Sequence, residues 1–247
     1  MEDEKKQTLA EDREDFWKNI DDYYYKRNTN DSILRRKWLA KIILFYHPKS
    51  ILEIGCNEGA NLREIYKLNP KIKLTGIDIN LNAVNYAKST LAGANIICGS
   101  IYDVTKYFKE KEFDLIFSMG VLIHIPPEEL KNLGDKMLLL ADTIIHCEDH
   151  SMDPKVKSIN EKTGAGHRWS HNYYDLYKDQ NIKIYNNIVE AGGGAHHLMV
   201  ITKSASLIRR FYFWCLRFFL FLTYKWTKKA KKAMIRIRKT IKDSINH

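Results

Sequence analysis

A chain of 247 residues with 45% apolar content can bury the core of one full α/β domain and still carry an appendage. Its four cysteines, Cys56, Cys98, Cys147 and Cys215, stand at no paired spacing, which argues against a disulfide framework or a cysteine zinc site and for a reducing compartment. The formal charge of +10 gathers at one end: from Lys203 onward there are thirteen Lys or Arg against the single acid Asp243, so the preceding residues are slightly acidic and lack the basic excess of a nucleic-acid groove.

Residues 1–47 read as a helical region. An acidic segment runs through Phe16 and Trp17, and a second helix carries Ile33, Leu34, Trp38, Leu39, Ile42, Ile43 and Phe45 at helical spacing, with Asp31 to cap it and Pro48 to limit it. The acidic start has no apolar stretch, which argues against a signal peptide and predicts a cytoplasmic protein. Residues 48–203 change pattern. Short apolar runs at 50–54, 72–77, 95–98, 113–118 and 142–147 alternate with helical candidates starting near Glu58, Leu81 and Pro127, as parallel strands joined by crossover helices do. Two further runs, 182–189 and 198–202, flank the glycine-rich stretch from Glu190 to His197, which favours a hairpin. Residues 204–247 form a basic tail. An apolar stripe from Ile208 through Phe219 and Trp226 to Ile241 advances in steps of three or four, with Arg210, Arg217, Lys225, Lys228, Lys232 and Lys239 opposite. Residues 207–242 are therefore expected to lie as an amphipathic helix on an anionic membrane surface, peripheral at its inner face; Arg217 interrupts the stretch and argues against a span. The competing reading is a helix packed on its own domain or in a dimer.

Gly55 and Gly59 follow an apolar strand and open a helix, where a residue without Cβ lets the backbone turn sharply and approach a ligand. Such a turn alone is weak evidence. Asp78 adds discrimination: it ends the second strand about twenty residues later, where a carboxylate can accept hydrogen bonds from both hydroxyls of a ribose. NAD would use the same acid, but Asn57 stands where dinucleotide folds need a glycine for the pyrophosphate, and Glu53 replaces an aliphatic residue ahead of the loop. Glu53 suits an ammonium group. The alternative for each acid is a helix cap or a solvated loop residue.

The segments 51–59 (Ile-Leu-Glu-Ile-Gly-Cys-Asn-Glu-Gly), 76–80 (Gly-Ile-Asp-Ile-Asn), 99–103 (Gly-Ser-Ile-Tyr-Asp) and 113–125 follow one another at a spacing that resembles the class I S-adenosylmethionine-dependent methyltransferases. With Phe16-Trp17 and residues 23–28 ahead of them, they resemble more narrowly the pseudaminic acid biosynthesis-associated methylases, over roughly residues 14–203. That likeness implies a Rossmann-like, seven-stranded methyltransferase sheet with helices on both faces; the periodicity of residues 1–47 adds an N-terminal helical cap, and residues 204–247, an addition to the family pattern, a C-terminal amphipathic helix. The likeness also implies S-adenosylmethionine as cofactor, with Glu53, Gly55, Asn57 and Gly59 around the methionine end, Asp78 and the adjacent Ile79 at the ribose, and Ile101, Tyr102 and Asp103 around adenine.

Methyl transfer from a sulfonium is an in-line displacement by an electrophile that arrives activated, so positioning can supply much of the catalysis. Where the acceptor is a hydroxyl, His124 after the fourth strand is the candidate base, against a structural histidine packed between Ile123 and Ile125. After the fifth strand, Glu148, Asp149 and His150 are adjacent in sequence, which suits convergence on a metal poorly, and no metal is expected. His167 and Arg168 are the expected acceptor-binding pair, with Arg168 able to grip a carboxylate or phosphate. The resemblance, with an Arg168 able to grip a sugar acid or nucleotide sugar, implies a small-molecule sugar or surface-glycan precursor as acceptor. A lipid or quinone acceptor is the first alternative. A nucleic-acid-binding or RNA-methylating protein using its basic tail is the second, weakened by the absence of an Asn-Pro-Pro-Tyr or Asp-Pro-Pro-Tyr motif. A catalytically silent cofactor-binding module is the remaining reading.

Overall fold

The computed structural model describes residues 14–20, 30–152, 155–158, 168–178, 180, 183–191 and 194–203. Residues 1–204 form one unit and 205–247 another; the second, with the amphipathic helix expected there, lies outside the described residues, as do residues 23–28 and His167. Among the described residues no helix is long and apolar enough to cross a membrane.

Two helices open the described chain, α1 over residues 14–19 and α2 over Asn30–Phe45. The alternation expected from residue 48 follows as β1 (Ser50–Ile54), α3 (Ala60–Leu68), β2 (Lys73–Asp78), α4 (Leu81–Thr90), β3 (Ala94–Cys98), α5 (Val104–Tyr107), β4 (Leu115–Met119), α6 (Pro127–Leu140) and β5 (Thr143–Glu148). After β5 come a two-stranded ribbon, β6 (Lys155–Ser158) and β7 (Arg168–Ser170), the short helix α7 (Tyr173–Leu176), and the long strands β8 (Lys183–Ala191) and β9 (Gly194–Thr202).

The main sheet is mixed, in the order β3-β2-β1-β4-β5-β9-β8. The first five strands are mutually parallel, while β9 runs antiparallel between β5 and β8. This order places β1 and β4 side by side at the point where the strand order reverses, the crevice where open α/β sheets bind ligands beyond their carboxyl ends. β1 reads as an apolar run because both its faces are covered: Ile51, Leu52 and Ile54 are all fully buried. α6 buries Leu130, Leu133 and Met137 in the same core as Ile116 of β4 and Ile144 of β5.

Several boundaries differ from the sequence reading for local reasons. α3 begins at Ala60 because Gly59 takes a left-handed conformation (φ 72°) that no helical residue adopts. β4 begins at Leu115 because the Phe113 amide bonds to Leu140 instead of a sheet partner. The hairpin is tighter than expected, since β8 and β9 continue through Glu190 and Ala195 and pair to Ala191 and Gly194. β6 and β7 form a ribbon where the sequence shows no strand pattern, and β5 extends through Glu148.

Candidate functional site

Three alternate residues of positive φ shape the segment after β1: Gly55 (φ 65°), Asn57 (φ 48°) and Gly59 (φ 72°). Gly55 is required on two counts, because a Cβ there would also lie 2.5 Å from Val121 Cγ2. The turn is clamped to β2. The Cys56 amide donates to the Ile77 carbonyl at 3.0 Å, and Asp78 Oδ2 accepts from the Asn57 amide at 2.7 Å while Oδ1 accepts from the Asn80 amide at 2.9 Å. Burial raises the Asp78 pKa, and backbone donors at Asn80, Asn57 and Ile79 oppose the shift. A carboxylate has about four acceptor sites, so these bonds leave capacity for a ligand.

Glu53, one residue from the end of β1, is 1% exposed. Its Oε1 accepts from Asn61 Nδ2 at 2.6 Å, and its Oε2 has no hydrogen-bond partner among the described residues. Burial pushes its pKa up to about 8, against the opposing effects of Asn61 and the Arg36 guanidinium. A buried carboxyl with one oxygen unsatisfied is costly by itself, and a cationic group would offset that cost.

Beyond β3, Ile101, Tyr102 and Asp103 form a short 3₁₀ turn capped by Ser100, whose hydroxyl accepts from the Tyr102 amide at 3.2 Å. Ile101 and Tyr102 pack against the main core, and the Tyr102 hydroxyl donates to the Glu129 carboxylate. Asp103 is partly exposed and pairs with Lys106 Nζ at 2.9 Å. The Asp103 carboxylate, expected at the adenine, is thus engaged in a surface ion pair.

α1 lies along this same edge. Asn80 Nδ2 donates to the carbonyls of Trp17 and Ile20 at 3.0 and 3.1 Å, and Ser100 Oγ donates to Glu14 Oε1 at 2.6 Å. The Trp17 indole rests on the His124 imidazole, with ring centroids 4.5 Å apart. His124 closes a 3₁₀ turn, Leu122–His124, after β4 and is half-buried.

The site contains a buried polar chain that sequence reasoning missed. Ser118 Oγ donates its single proton to Glu148 Oε1 at 2.8 Å, so its 3.0 Å contact with His146 must be accepted from His146 Nδ1. His146 Nε2 then accepts from the Tyr177 hydroxyl at 2.8 Å. Burial depresses the His146 pKa to about 3, which keeps the imidazole neutral as this direction requires. Glu148 ends the chain and also accepts from the Val121 amide at 3.1 Å. Glu148 is fully buried, which corrects its reading as a loop residue.

Of the expected acceptor pair, Arg168 opens β7 with an exposed guanidinium 3.9 Å from Asp149 Oδ2. Beside them, His150 Nδ1 donates to the His171 carbonyl at 2.9 Å, and His171 Nε2 donates to the Leu122 carbonyl at 2.9 Å. The stretch after β5 is therefore tied to the turn carrying His124. Among the described residues, no three of His, Cys, Asp or Glu are grouped to hold a metal ion.

A Rossmann-like sheet with an antiparallel strand inserted beside β5, and a glycine turn locked to an acid at the end of β2, define the fold and cofactor cleft of class I S-adenosylmethionine-dependent methyltransferases. Residues 51–140 match the methyltransferase domain family. Over 97 residues the chain is 32% identical to malonyl-[acyl-carrier protein] O-methyltransferase 1 of Ilyobacter polytropus, covering 38% of this chain and 36% of that one. Over 105 residues it is 34% identical to phosphoethanolamine N-methyltransferase of Plasmodium falciparum, covering 41% and 38%. The chain thus spans less than two fifths of these relatives. Its structure resembles Burkholderia thailandensis 1,6-didemethyltoxoflavin-N1-methyltransferase with bound 1,6-didemethyltoxoflavin and S-adenosylhomocysteine, at TM-score 0.60 and 14% identity over 82% of this chain and 90% of that one. Residues 51–140 are thus similar to a methyltransferase domain, and the fold is one on which S-adenosylhomocysteine is bound in the Burkholderia protein. The named acceptors of these proteins differ widely, so the likeness concerns the cofactor half of the site.

Proposed function

We propose that the whole chain transfers a methyl group from S-adenosylmethionine to a small acceptor, and that the acceptor is a sugar or surface-glycan precursor. The observation that carries the cofactor half is the Gly55–Asn57–Gly59 turn clamped by Asp78 beside the unsatisfied Glu53 Oε2. Glu53 meets the ammonium, the turn lets the backbone approach the methionine end, and Asp78 with Ile79 holds the ribose. Ile101, Tyr102 and Asp103 bound the adenine side; for Asp103 this means exchanging its Lys106 pair for a ligand contact.

The cofactor supplies a methyl group already activated on a sulfonium. The chain's work is to place the acceptor in line and exclude water, and α1 with the His124 turn closes the edge where this must happen. His167 and Arg168 form the acceptor grip. An Arg168 guanidinium held only at 3.9 Å by Asp149 can turn to a carboxylate or phosphate with little loss. The tail, residues 207–242, meets the anionic inner surface of a membrane, which would bring a membrane-bound precursor to a cytoplasmic enzyme. A lipid or quinone acceptor would use the same tail.

Calorimetric titration of S-adenosylmethionine and S-adenosylhomocysteine into the wild type and Asp78→Ala tests the cofactor site. Binding by the wild type and a loss of about tenfold or more in the variant is expected, since each lost charge-assisted bond to ribose is worth about 1.5–3 kcal/mol. A folded wild type that binds NAD and neither of these ligands would overturn the reading.

A further inference from the structure

We propose that His150, through Nε2, is the base that takes the proton of a hydroxyl acceptor. The proposal rests on the methyl-transfer reading and adds the residue that handles the proton, with a proton-bearing oxygen nucleophile as the acceptor class.

The geometry fixes the tautomer. His150 Nδ1 faces a backbone carbonyl, that of His171, at 2.9 Å, and a carbonyl can only accept. Nδ1 therefore carries the hydrogen, and in the neutral ring Nε2 carries the lone pair. The ring is also held in orientation. Tyr174 and Tyr173 of α7 stand 5.5 and 6.1 Å from its centroid, and His197 of β9 stands 5.0 Å away nearly edge-on. This is the arrangement of an oriented base: one nitrogen anchored to the scaffold, the other left as an acceptor.

The position suits the role. His150 lies two residues beyond the end of β5, on the carboxyl edge of the sheet that also carries the cofactor turn after β1 and the His124 turn after β4. His171 joins the two acceptor-side segments, binding His150 through its carbonyl and Leu122 through its ring. His124, the alternative base, has the Trp17 indole against its ring. The groups packed against His150 are the tyrosines of α7, His171 after β7 and His197 of β9, while its chain neighbour Asp149 is paired with Arg168. Burial lowers the His150 pKa and the His171 bond only partly offsets this, so the imidazole is in its basic form at neutral pH.

In the step itself, the acceptor oxygen forms its bond to the methyl carbon as the carbon–sulfur bond breaks. The electron pair stays on sulfur, leaving a neutral thioether. The oxygen's proton passes to Nε2, and the imidazolium then releases it to water from its exposed side.

The test compares the full-length wild type, His150→Gln and His124→Gln. Nitrogen-15 NMR of the wild-type imidazoles should show His150 as the Nδ1–H tautomer, neutral at pH 7. S-adenosylhomocysteine release is then followed with glucuronic acid, N-acetylneuraminic acid and UDP-N-acetylglucosamine as acceptors. His150→Gln should lower kcat about 100-fold or more, leave S-adenosylhomocysteine affinity within twofold, and abolish the acid limb of the pH profile, which His124→Gln should keep. An Nε2–H tautomer, or a limb that survives in His150→Gln and vanishes in His124→Gln, overturns the proposal. Should no acceptor turn over while S-adenosylhomocysteine binds, the sugar reading fails and the tautomer alone decides for or against His150. Absence of S-adenosylhomocysteine binding by the wild type would instead sink the underlying cofactor reading.

Discussion

Glu148 shows how a single carboxyl can organise a site it does not chemically serve. It accepts from Ser118 and from the Val121 amide, so the turn that follows β4 is fastened to the end of β5. Burial pushes its pKa up to about 7 from 4.5, with the Val121 and Ser118 bonds opposing. A carboxyl whose folded pKa is raised binds its proton more tightly when folded, so its contribution is fully present below the unfolded value and is lost as pH rises through the folded one. The protein should therefore lose stability between pH 4.5 and about 7 on account of Glu148. Glu148→Gln should flatten that slope in denaturant titrations at a series of pH values, removing about 3 kcal/mol of the change. An unchanged slope would mean that Glu148 does not hold the proton. At this scale the sequence was readable where the turn demands a particular residue: Gly55 and Gly59 take positive φ, and Asp78 accepts from the Asn57 and Asn80 amides. Glu148 and His146 did not, because their partners Ser118 and Tyr177 lie 28 to 31 residues away and only the closed sheet brings them together.

Among the elements, α1 depends on one side chain for much of its anchoring. Asn80 Oδ1 caps α4 by accepting from the Ala83 amide at 2.9 Å, while Nδ2 of the same amide holds the carbonyls at the end of α1. Asn80→Ala removes both roles. The expected cost is about 1–2 kcal/mol, the range for a lost N-cap, with amide exchange rising at residues 14–20 well before the sheet opens. Asn80→Asp should restore the cap and leave the exchange of α1 fast, because a carboxylate cannot donate to carbonyls. Gly55→Ala is predicted to be worse, at about 2–4 kcal/mol, since positive φ and the clash with Val121 act together; thermal unfolding would show it. The strands from β1 to β5 were legible because buried parallel strands are continuous apolar runs. β6 and β7 were not, since their residues, Lys-Val-Lys-Ser and Arg-Trp-Ser, carry too little apolar pattern to separate a ribbon from a loop. The hairpin's existence was legible, but its length was hidden by glycine and histidine residues that pair despite low strand preference.

For the molecule as a whole, the charge asymmetry yields a prediction independent of the cofactor site. The full chain should sediment with vesicles containing phosphatidylserine and release from them as salt is added, each cation near the surface being worth about 1 kcal/mol. A chain ending at Lys203 should stay in solution and keep its S-adenosylhomocysteine affinity. Equal sedimentation of the two chains would remove the membrane from the proposed function. The alternation of strands and helices from residue 48 was readable because runs of this kind have few topological solutions. The contacts His150–His197 and Asp149–Arg168 were not, because they join residues after β5 to β9 and β7 at no fixed spacing.

The place of β9 has a consequence for how the chain is made. A ribosome releases β1 to β5 first, and these can align as they appear, but β5 then presents an open row of amides and carbonyls that only the segment Gly194–Thr202 fills. Until that segment emerges, the nascent chain carries a sticky sheet edge beside its future acceptor-side loops. Synthesis must therefore run well past residue 203, until β9 has left the ribosome, before the edge is sealed, and a pause earlier than that would expose the growing chain to misassociation.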